Sequence, residues 1–345
     1  MRTLVTGAAG FIGRRLVKQC LSLGDEVTAV SHFRSSSPET LGKWLHDQLP
    51  EKSDWPLRLV AADIRDAAAM KDAMTSIDRV FHLAAAVATG RPSDSQSINV
   101  DGTDILATAA ARSSRPTLVF VSSLAAAGPR EIAIDETAPC HPISQYGRTK
   151  YEAERSLKKW SAELPITIAR PPCVFGPGDR NLLALYQTVA RGWNVVLSKT
   201  FAYSYISVDD LVTGLIAAAN DGDRINQQVF TDGSDNAGVY YLTDPQPLTF
   251  PQLADMIGSS IGREHVRHVK IPNVMGFALG KFGDLALTMT GRKVFLNSDK
   301  IREGVGGSWI CRGDRAKREL NFAPARSLRV RIDETTAHYR DVGWI

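Results

Sequence analysis

A three-layer α/β fold, one parallel sheet between two layers of helices, is what this sequence predicts. Two observations carry that prediction. Short apolar runs rich in β-branched residues recur through the first half of the chain, and helical stretches fill most of the intervals between them. A glycine-rich turn, Gly7-Ala8-Ala9-Gly10-Phe11-Ile12-Gly13, joins the first such run to the first helical stretch.

The elements follow in order. Arg2–Thr6 is the first strand, and 11–21 is the helix after the turn. Further strands are predicted at Glu26–Ser31, Leu57–Ala61, 79–83, Thr117–Val121 and Ile166–Ala169. Helices are predicted over 67–74, 96–112 and 145–160. Glycine permits a tight turn and lets backbone N–H groups approach a pyrophosphate at the positive end of a helix. The turn therefore predicts a Rossmann-type, doubly wound sheet that holds a dinucleotide. Its spacing departs from the usual G-x-G-x-x-G by one extra residue. Ligands on such sheets bind outside the carboxyl ends of the strands. Ser31, Asp63, 84–86, Ser122, Ser123 and 171–173 fall there.

Tyr146 and Lys150 stand four apart in Ser-Gln-Tyr-Gly-Arg-Thr-Lys, which places them on one face of a helix. A free tyrosine titrates near pKa ~10 and is a poor base at neutral pH. A lysine ammonium one turn away is expected to favour the phenolate. The tyrosine then exchanges a proton with an alcohol oxygen while a nicotinamide exchanges hydride with its carbon.

The motifs, taken in order, resemble those of an extended short-chain dehydrogenase/reductase. That superfamily includes sugar-nucleotide epimerases, dihydroflavonol reductases and 3β-hydroxysteroid dehydrogenases. The matching segments are Val-Thr-Gly-Ala-Ala-Gly-Phe-Ile-Gly, Ala-Asp-Ile-Arg-Asp at 62–66, Val-Phe-His-Leu-Ala-Ala at 80–85, Asn-Val-Asp-Gly-Thr at 99–103 and Val-Phe-Val-Ser-Ser at 119–123. Tyr-Gly-Arg-Thr-Lys, Arg-Pro-Pro-Cys-Val-Phe-Gly-Pro-Gly-Asp at 170–179 and Tyr-Ile-Ser-Val-Asp-Asp-Leu at 205–211 continue the match. The last third matches only loosely, through Lys-Arg-Glu-Leu-Asn-Phe-Ala-Pro at 317–324.

The resemblance implies roles residue by residue. Ser123, five positions before Gly128, corresponds to the hydroxyl that orients the substrate oxygen, with Ser122 as its alternative. Tyr146 is the acid/base and Lys150 its activator and ribose anchor. Gly7, Gly10, Phe11, Ile12 and Gly13 belong to the cofactor set, and Asp63 and Ile64 resemble the pair beside the adenine ring. Asp63 equally suits a turn after its strand. Leu83, Ala84, Ala85, Pro172 and Cys173 complete the set. Asn99 reads as a tether for a helix start or a buried water, without chemistry.

Charge bears on the cofactor. NAD binders usually end the second strand with an acid that accepts from the ribose 2′-hydroxyl. Here the strand runs into Ser31-His32-Phe33-Arg34, without one. Ser31 and Arg34 can meet a 2′-phosphate instead, so NADP is preferred over NAD.

Composition sets further bounds. A chain of 345 residues accommodates a nucleotide-binding domain and a smaller lobe. By resemblance, 1–172 with 205–235 form the first, and 173–204 with 236–345 the discontinuous substrate lobe. With 41 basic and 37 acidic residues, the net charge of +4 gives no reason to expect nucleic acid. Cysteines 20, 140, 173 and 311 lack metal or disulfide spacing, which suits a reducing cytoplasm. A strand beginning at residue 2 leaves no room for a signal peptide, and no apolar run reaches transmembrane length. A homodimer is compatible with all of this. Segments 35–55 and 232–238 read as flexible. Segments 182–193 and 271–290 are candidate lids. The apolar residues of 271–290, among them Met275, Phe277, Leu279, Phe282, Leu285, Leu287 and Met289, suit ordinary core packing, or else a substrate wall or membrane-facing lid.

Departures from the family sort its branches. Dehydratases carry an Asp-Glu pair directly after the catalytic hydroxyl; here Leu124 and Ala125 stand there. Epimerases usually carry Asn where this chain has Cys173, and an Arg shortly before the Val-Asp-Asp segment, where it has Phe-Ala-Tyr-Ser at 201–204. A buried diphosphate without donors or cations is costly. The resemblance thus implies an NAD(P)-dependent oxidoreductase for a secondary alcohol or ketone on a largely apolar substrate. The alternatives are a sugar-nucleotide 4-epimerase with the same triad, and an idle dinucleotide-binding regulator.

Overall fold

The computed structural model describes residues 1–32, 38–49, 54–87, 92–231, 233–290 and 297–345, with the side chains of 92, 287, 288 and 290 excepted. Its centre is a seven-stranded parallel sheet. We number its strands β1 (Arg2–Thr6), β2 (Glu26–Ser31), β3 (Leu57–Ala61), β4 (Arg79–His82), β5 (Thr117–Val121), β6 (Ile166–Ala169) and β7 (Val239–Tyr240). The spatial order is β3-β2-β1-β4-β5-β6-β7, and every neighbouring pair is parallel. The predicted doubly wound Rossmann sheet is present, extended by β7. All of β4 and β6 is buried, as expected of strands covered on both faces.

Each face of the sheet carries its own core. On one, Leu16, Val17 and Leu21 of helix Phe11–Ser22 join Leu211 and Leu215 of helix Val208–Asn220. On the other, Met70, Leu106 and Leu157 come from helices Ala67–Ala73, Gly102–Ala111 and Gln145–Lys158. A third core gathers Tyr186, Val189, Leu253, Ile257, Ile332 and Tyr339. Asp210, from the Val-Asp-Asp motif, ties the C-terminal helix Leu328–Asp341 to the first core by accepting two bonds from Arg331, at 2.5 and 2.8 Å.

Several expectations need correction. Val239–Tyr240, assigned to the substrate lobe, completes the main sheet by pairing with Ile168 and Ala169. Its side chains have no water-facing side there, because the sheet edge and helices enclose them. Within 35–55, a helix spans Pro38–Gln48 and buries Leu41 and Leu45, which anchor it to the sheet. The segment 182–193 is no free lid, since Tyr186 and Val189 sit fully inside the third core. The single helix foreseen over 96–112 is interrupted: a π-helical turn, Ser97–Asp101, precedes helix Gly102–Ala111. Helix Asn273–Thr290 does not pack its large apolar residues inward; Phe282 and Met289 are 75 % and 77 % exposed. Among the described residues, no helix is long and apolar enough to cross a membrane.

Candidate active site

The carboxyl ends of parallel strands lie on one edge of their sheet, and the singled-out residues converge there. β1 ends at Thr6 and runs into Gly7, whose φ of +67° suits glycine. The turn closes with the Gly10 amide donating to the Gly7 carbonyl at 2.9 Å. Helix Phe11–Ser22 begins at once, with no side-chain cap on its first amides. Those amides are therefore free to meet an anion. Gly13 is fixed by close approach, since a Cβ there would lie 2.2 Å from the Gly7 oxygen. The arrangement fits the pyrophosphate of a dinucleotide.

Next to this turn, a hydrogen-bond relay positions Leu83 and Ala84. Both amides donate to Thr6 Oγ1 at 3.2 Å. The Thr6 hydroxyl, filled on its acceptor side, donates to His82 Nδ1 at 2.7 Å. His82 Nε2–H then donates to Thr103 Oγ1 at 2.9 Å, and Thr103 donates to the Asn99 carbonyl at 2.7 Å. Burial, with the nearby Lys150 charge, pushes the His82 imidazole down to about 3. It is neutral and holds one tautomer.

Asn99 sits in the π-helical turn, 1 % exposed. Its Nδ2 donates to the Ala86 carbonyl and to Thr149 Oγ1, and its Oδ1 accepts from the Ala86 amide. Thr149 in turn donates to the Tyr146 carbonyl at 3.0 Å. Asn99 is thus a tether with every bond filled by protein, and the expected tethering role needs no water.

Helix Gln145–Lys158 carries Tyr146 and Lys150. Ser144 caps it by accepting from the Gly147 amide at 3.0 Å. Gly147 lets it seat on the short helix Leu124–Ala127, because a Cβ there would meet the Ala125 oxygen at 2.2 Å. This contact sets Tyr146 beside Ser123, which starts that short helix, near enough for the serine hydroxyl to favour the phenolate. Ser123 Oγ also accepts from the Ala125 amide at 3.1 Å. Ser122 is instead buried, and its hydroxyl has no partner among the described residues. Between the two serines, the geometry favours Ser123.

Tyr146 and Lys300 are half-buried and Cys173 is exposed, and each is close enough to sense its neighbours' charge, as residues lining the crevice outside the carboxyl ends of the strands would be. Burial pushes the Tyr146 phenol up; the Lys300 ammonium pulls it back, Glu303 opposes that, and the Ser123 hydroxyl adds a smaller lowering. The expected lowering by Lys150 does not occur. Lys150 is itself 1 % exposed, and burial brings its ammonium down to about 7 despite Glu154 nearby. Its Nζ stands 4.1 Å from the centre of the Phe120 ring. The Cys173 thiol is raised by the protein around it and by Asp179, although solvent reaches it.

The remaining predicted residues divide. Ala85 and Pro172 are half-buried at the strand ends. Ser31 is half-buried at the end of β2, and its carbonyl accepts from the Ala62 amide. Arg34 lies outside the described residues. Ile64 is 6 % exposed and packs into the second core. The Asp63 carboxylate is bound by Arg65 at 2.6 and 2.9 Å, which supports the turn reading of that residue. Sequence reasoning missed Asp299, Lys300 and Glu303 of helix Ser298–Val305. Asp299 Oδ2 accepts from the amides of Gln145 and Tyr146, and Lys300 is paired with Glu303 at 2.8 Å. No signal in the loosely matching last third pointed to them.

A parallel sheet with a glycine turn after β1 and a Ser/Tyr/Lys cluster beyond β5 defines a dinucleotide-dependent enzyme. The profile of the NAD dependent epimerase/dehydratase family matches residues 3–231, and the chain belongs to that family. It is 28% identical over 359 residues to sterol demethylase protein B of Methylococcus capsulatus, covering all of both chains. It is 24% identical to the N-acetyl-alpha-D-glucosaminyl-diphospho-ditrans,octacis-undecaprenol 4-epimerase of Escherichia coli, covering 87% of this chain and 84% of that protein. In fold it is similar to the UDP-glucuronic acid 4-epimerase of Bacillus cereus, solved with UDP-glucuronic acid and NAD, with a TM-score of 0.74 and 20% identity over 99% of this chain and 100% of the other. The chain is accordingly an enzyme of the extended short-chain dehydrogenase/reductase type, which excludes the idle regulator.

Proposed function

We propose that this enzyme interconverts a secondary alcohol and a ketone on a largely apolar, lipid-like substrate. The observation that carries the alcohol/ketone chemistry is the seating of the Tyr146 helix on the short helix that Ser123 begins, with Lys150 one helical turn from Tyr146. NAD or NADP, held at the glycine turn, would supply the hydride acceptor or donor. Ser123 would orient the substrate oxygen, and Tyr146 would move the proton on that oxygen. Lys150 would hold the ribose and carry positive charge toward the phenol once a dinucleotide closes over it. The raised phenol keeps its proton at neutral pH, which suits ketone reduction.

The substrate class rests on charge. Lys300 is a cation in the crevice, but Glu303 neutralises it, so the pair adds no net charge for a diphosphate. One relative is named for a sterol, which favours a lipid substrate; another is named as the 4-epimerase of a diphospho-undecaprenol-linked sugar, a lipid that itself carries a diphosphate, and so speaks for the epimerase reading as well. A second reading, a sugar-nucleotide 4-epimerase, is favoured by Lys300 itself, if a diphosphate displaces Glu303. NADP is proposed over NAD, because no acid ends β2.

The experiment is a panel of sterol-like, aromatic and long-chain secondary alcohols and ketones, assayed with NAD(H) and NADP(H) beside UDP- and GDP-sugars. Turnover is expected among the apolar compounds only. A UDP-sugar bound at about micromolar Kd, roughly 8 kcal/mol of affinity, or epimerised, overturns the reading in favour of the epimerase.

A further inference from the structure

We infer that helix Asn273–Thr290 and the strand pair beside it form a docking surface for an anionic lipid bilayer. The helix is packed inside out. Its seated face is glycine: a Cβ at Gly276 would meet Leu197 at 2.6 Å, and one at Gly280 would meet Ser298 and Ile301 at 3.0 Å. Its outward face holds Val274, Met275, Phe282, Leu285 and Met289, each between 54 % and 80 % exposed. An amphipathic helix of a water-soluble fold does the reverse. Monomeric proteins rarely leave large side chains contiguous in water unless something covers them.

The patch extends beyond the helix. Strands Trp193–Val196 and Arg267–Lys270 pair in parallel, and the second leads into the helix, with Ile271 donating to the Val196 carbonyl at 3.0 Å. Trp193 and Val195 stand 46 % and 55 % exposed on that pair. Ten of the sixteen exposed large apolar side chains among the described residues belong to these three elements, so the exposure is concentrated rather than scattered.

Charge selects the occupant. Arg267, Lys270 and Lys281 are exposed along the patch, and Arg267 lies over the Trp193 ring at 5.5 Å. The acid of the helix, Asp284, is turned the other way and accepts from the Ser298 amide. Positive charge outward, with Trp, Phe and Leu between the cations, is the pattern of a helix lying in a bilayer interface. Anionic headgroups meet the lysines and arginine while acyl chains take the apolar side chains. The helix rests on Ser298–Val305, whose Asp299 holds the Tyr146 amide. A bilayer under the patch therefore lies about one helix diameter, ~10 Å, from the crevice elements. A lipid substrate would enter without crossing bulk water; that last step rests on the proposed function, and the docking does not.

The test is flotation of the full chain with extruded vesicles of phosphatidylcholine, with and without phosphatidylglycerol. The protein is expected to float with the phosphatidylglycerol vesicles, more weakly with phosphatidylcholine alone, and less at high salt. Phe282→Gln/Leu285→Gln is expected to lower vesicle affinity at least roughly tenfold. Lys270→Glu/Lys281→Glu is expected to remove the preference for phosphatidylglycerol. Both variants should bind cofactor as the wild type does, because these side chains are exposed and remote from the glycine turn. The inference is overturned if the wild type stays unbound with both vesicle types. It is equally overturned if sedimentation velocity finds a dimer that Phe282→Gln/Leu285→Gln dissociates, since the occupant is then a second copy. Because no substrate is used, failure here leaves the alcohol/ketone reading intact, and failure of that reading leaves vesicle binding unexplained by turnover.

Discussion

Asn99 holds Ala86 from both sides: the Ala86 amide donates to Oδ1 at 2.7 Å, and Nδ2 donates back to the Ala86 carbonyl at 3.0 Å. The same Nδ2 reaches Thr149, so one side chain couples the loop after β4 to the Tyr146 helix. Asn99→Ala removes three buried hydrogen bonds and leaves the Ala86 amide unpaired. The expected loss is about 3 kcal/mol, read from urea unfolding. A variant within a few tenths of a kcal/mol of wild type would mean that the loop is held elsewhere.

Tyr146→Phe keeps the ring and removes the proton. Catalysis is expected to fall about 10²–10⁴-fold, with cofactor affinity nearly unchanged. In the wild type, burial holds the phenol above its ordinary range. Alcohol oxidation, which needs the phenolate, is therefore expected to climb with pH through the alkaline range, while ketone reduction stays flat until the phenol ionises. A retained rate in the Phe variant would remove Tyr146 from the chemistry.

Lys150 is lowered from 10.5 to about 7 in the folded chain. Between those values the unfolded chain binds the extra proton, so stability rises with pH. Below about 7 both states are charged and the burial penalty is felt in full; above 10.5 it has gone. Relative to Lys150→Met, the wild type should gain up to about 1.4 kcal/mol per pH unit across that window. Parallel stability curves for the two proteins would show that the lysine keeps its charge. The same variant should lose cofactor affinity in a fluorescence titration.

The proposed preference for NADP is checked by titrating the wild type with NADPH and NADH. NADPH is expected to bind more tightly, and Arg34→Ala to erase most of the difference. Equal affinities would remove Ser31 and Arg34 as a phosphate site.

The sheet was legible because its signals are local. Arg2–Thr6, Glu26–Ser31 and Thr117–Val121 are apolar runs with clear ends, and the structure keeps those limits. The glycine turn was legible for the same reason. β7 was not: Val239–Tyr240 is too short to carry a period, and its place comes from contact with β6, about seventy residues earlier. Asp299 and Lys300 were invisible because their meaning depends on a helix folding back against Tyr146 from the last third of the chain. The electrostatics of Tyr146 and Lys150 were foreseen in the wrong balance. Spacing reveals which charges are near, whereas burial depends on Phe120 and the sheet around them.

Glu154, one turn beyond Lys150, accepts from Arg170 at 2.6 and 2.9 Å, and both side chains are fully buried. The Arg170 guanidinium also donates to Cys140 Sγ and Tyr241 Oη, so it is locked in place. Glu154→Ala leaves that charge without its counter-ion in the protein interior. The expected destabilisation is about 3–5 kcal/mol, and Glu154→Leu/Arg170→Met should recover most of it by removing the charge as well. The pair also reaches the candidate site. Glu154 is the charge that keeps the Lys150 ammonium from falling further. In the double variant, Lys150 should deprotonate at a lower pH than in the wild type, and the stability rise it causes should begin earlier by the same amount. An unshifted onset would mean that Glu154 and Lys150 do not sense each other, and that the ion pair serves the fold alone.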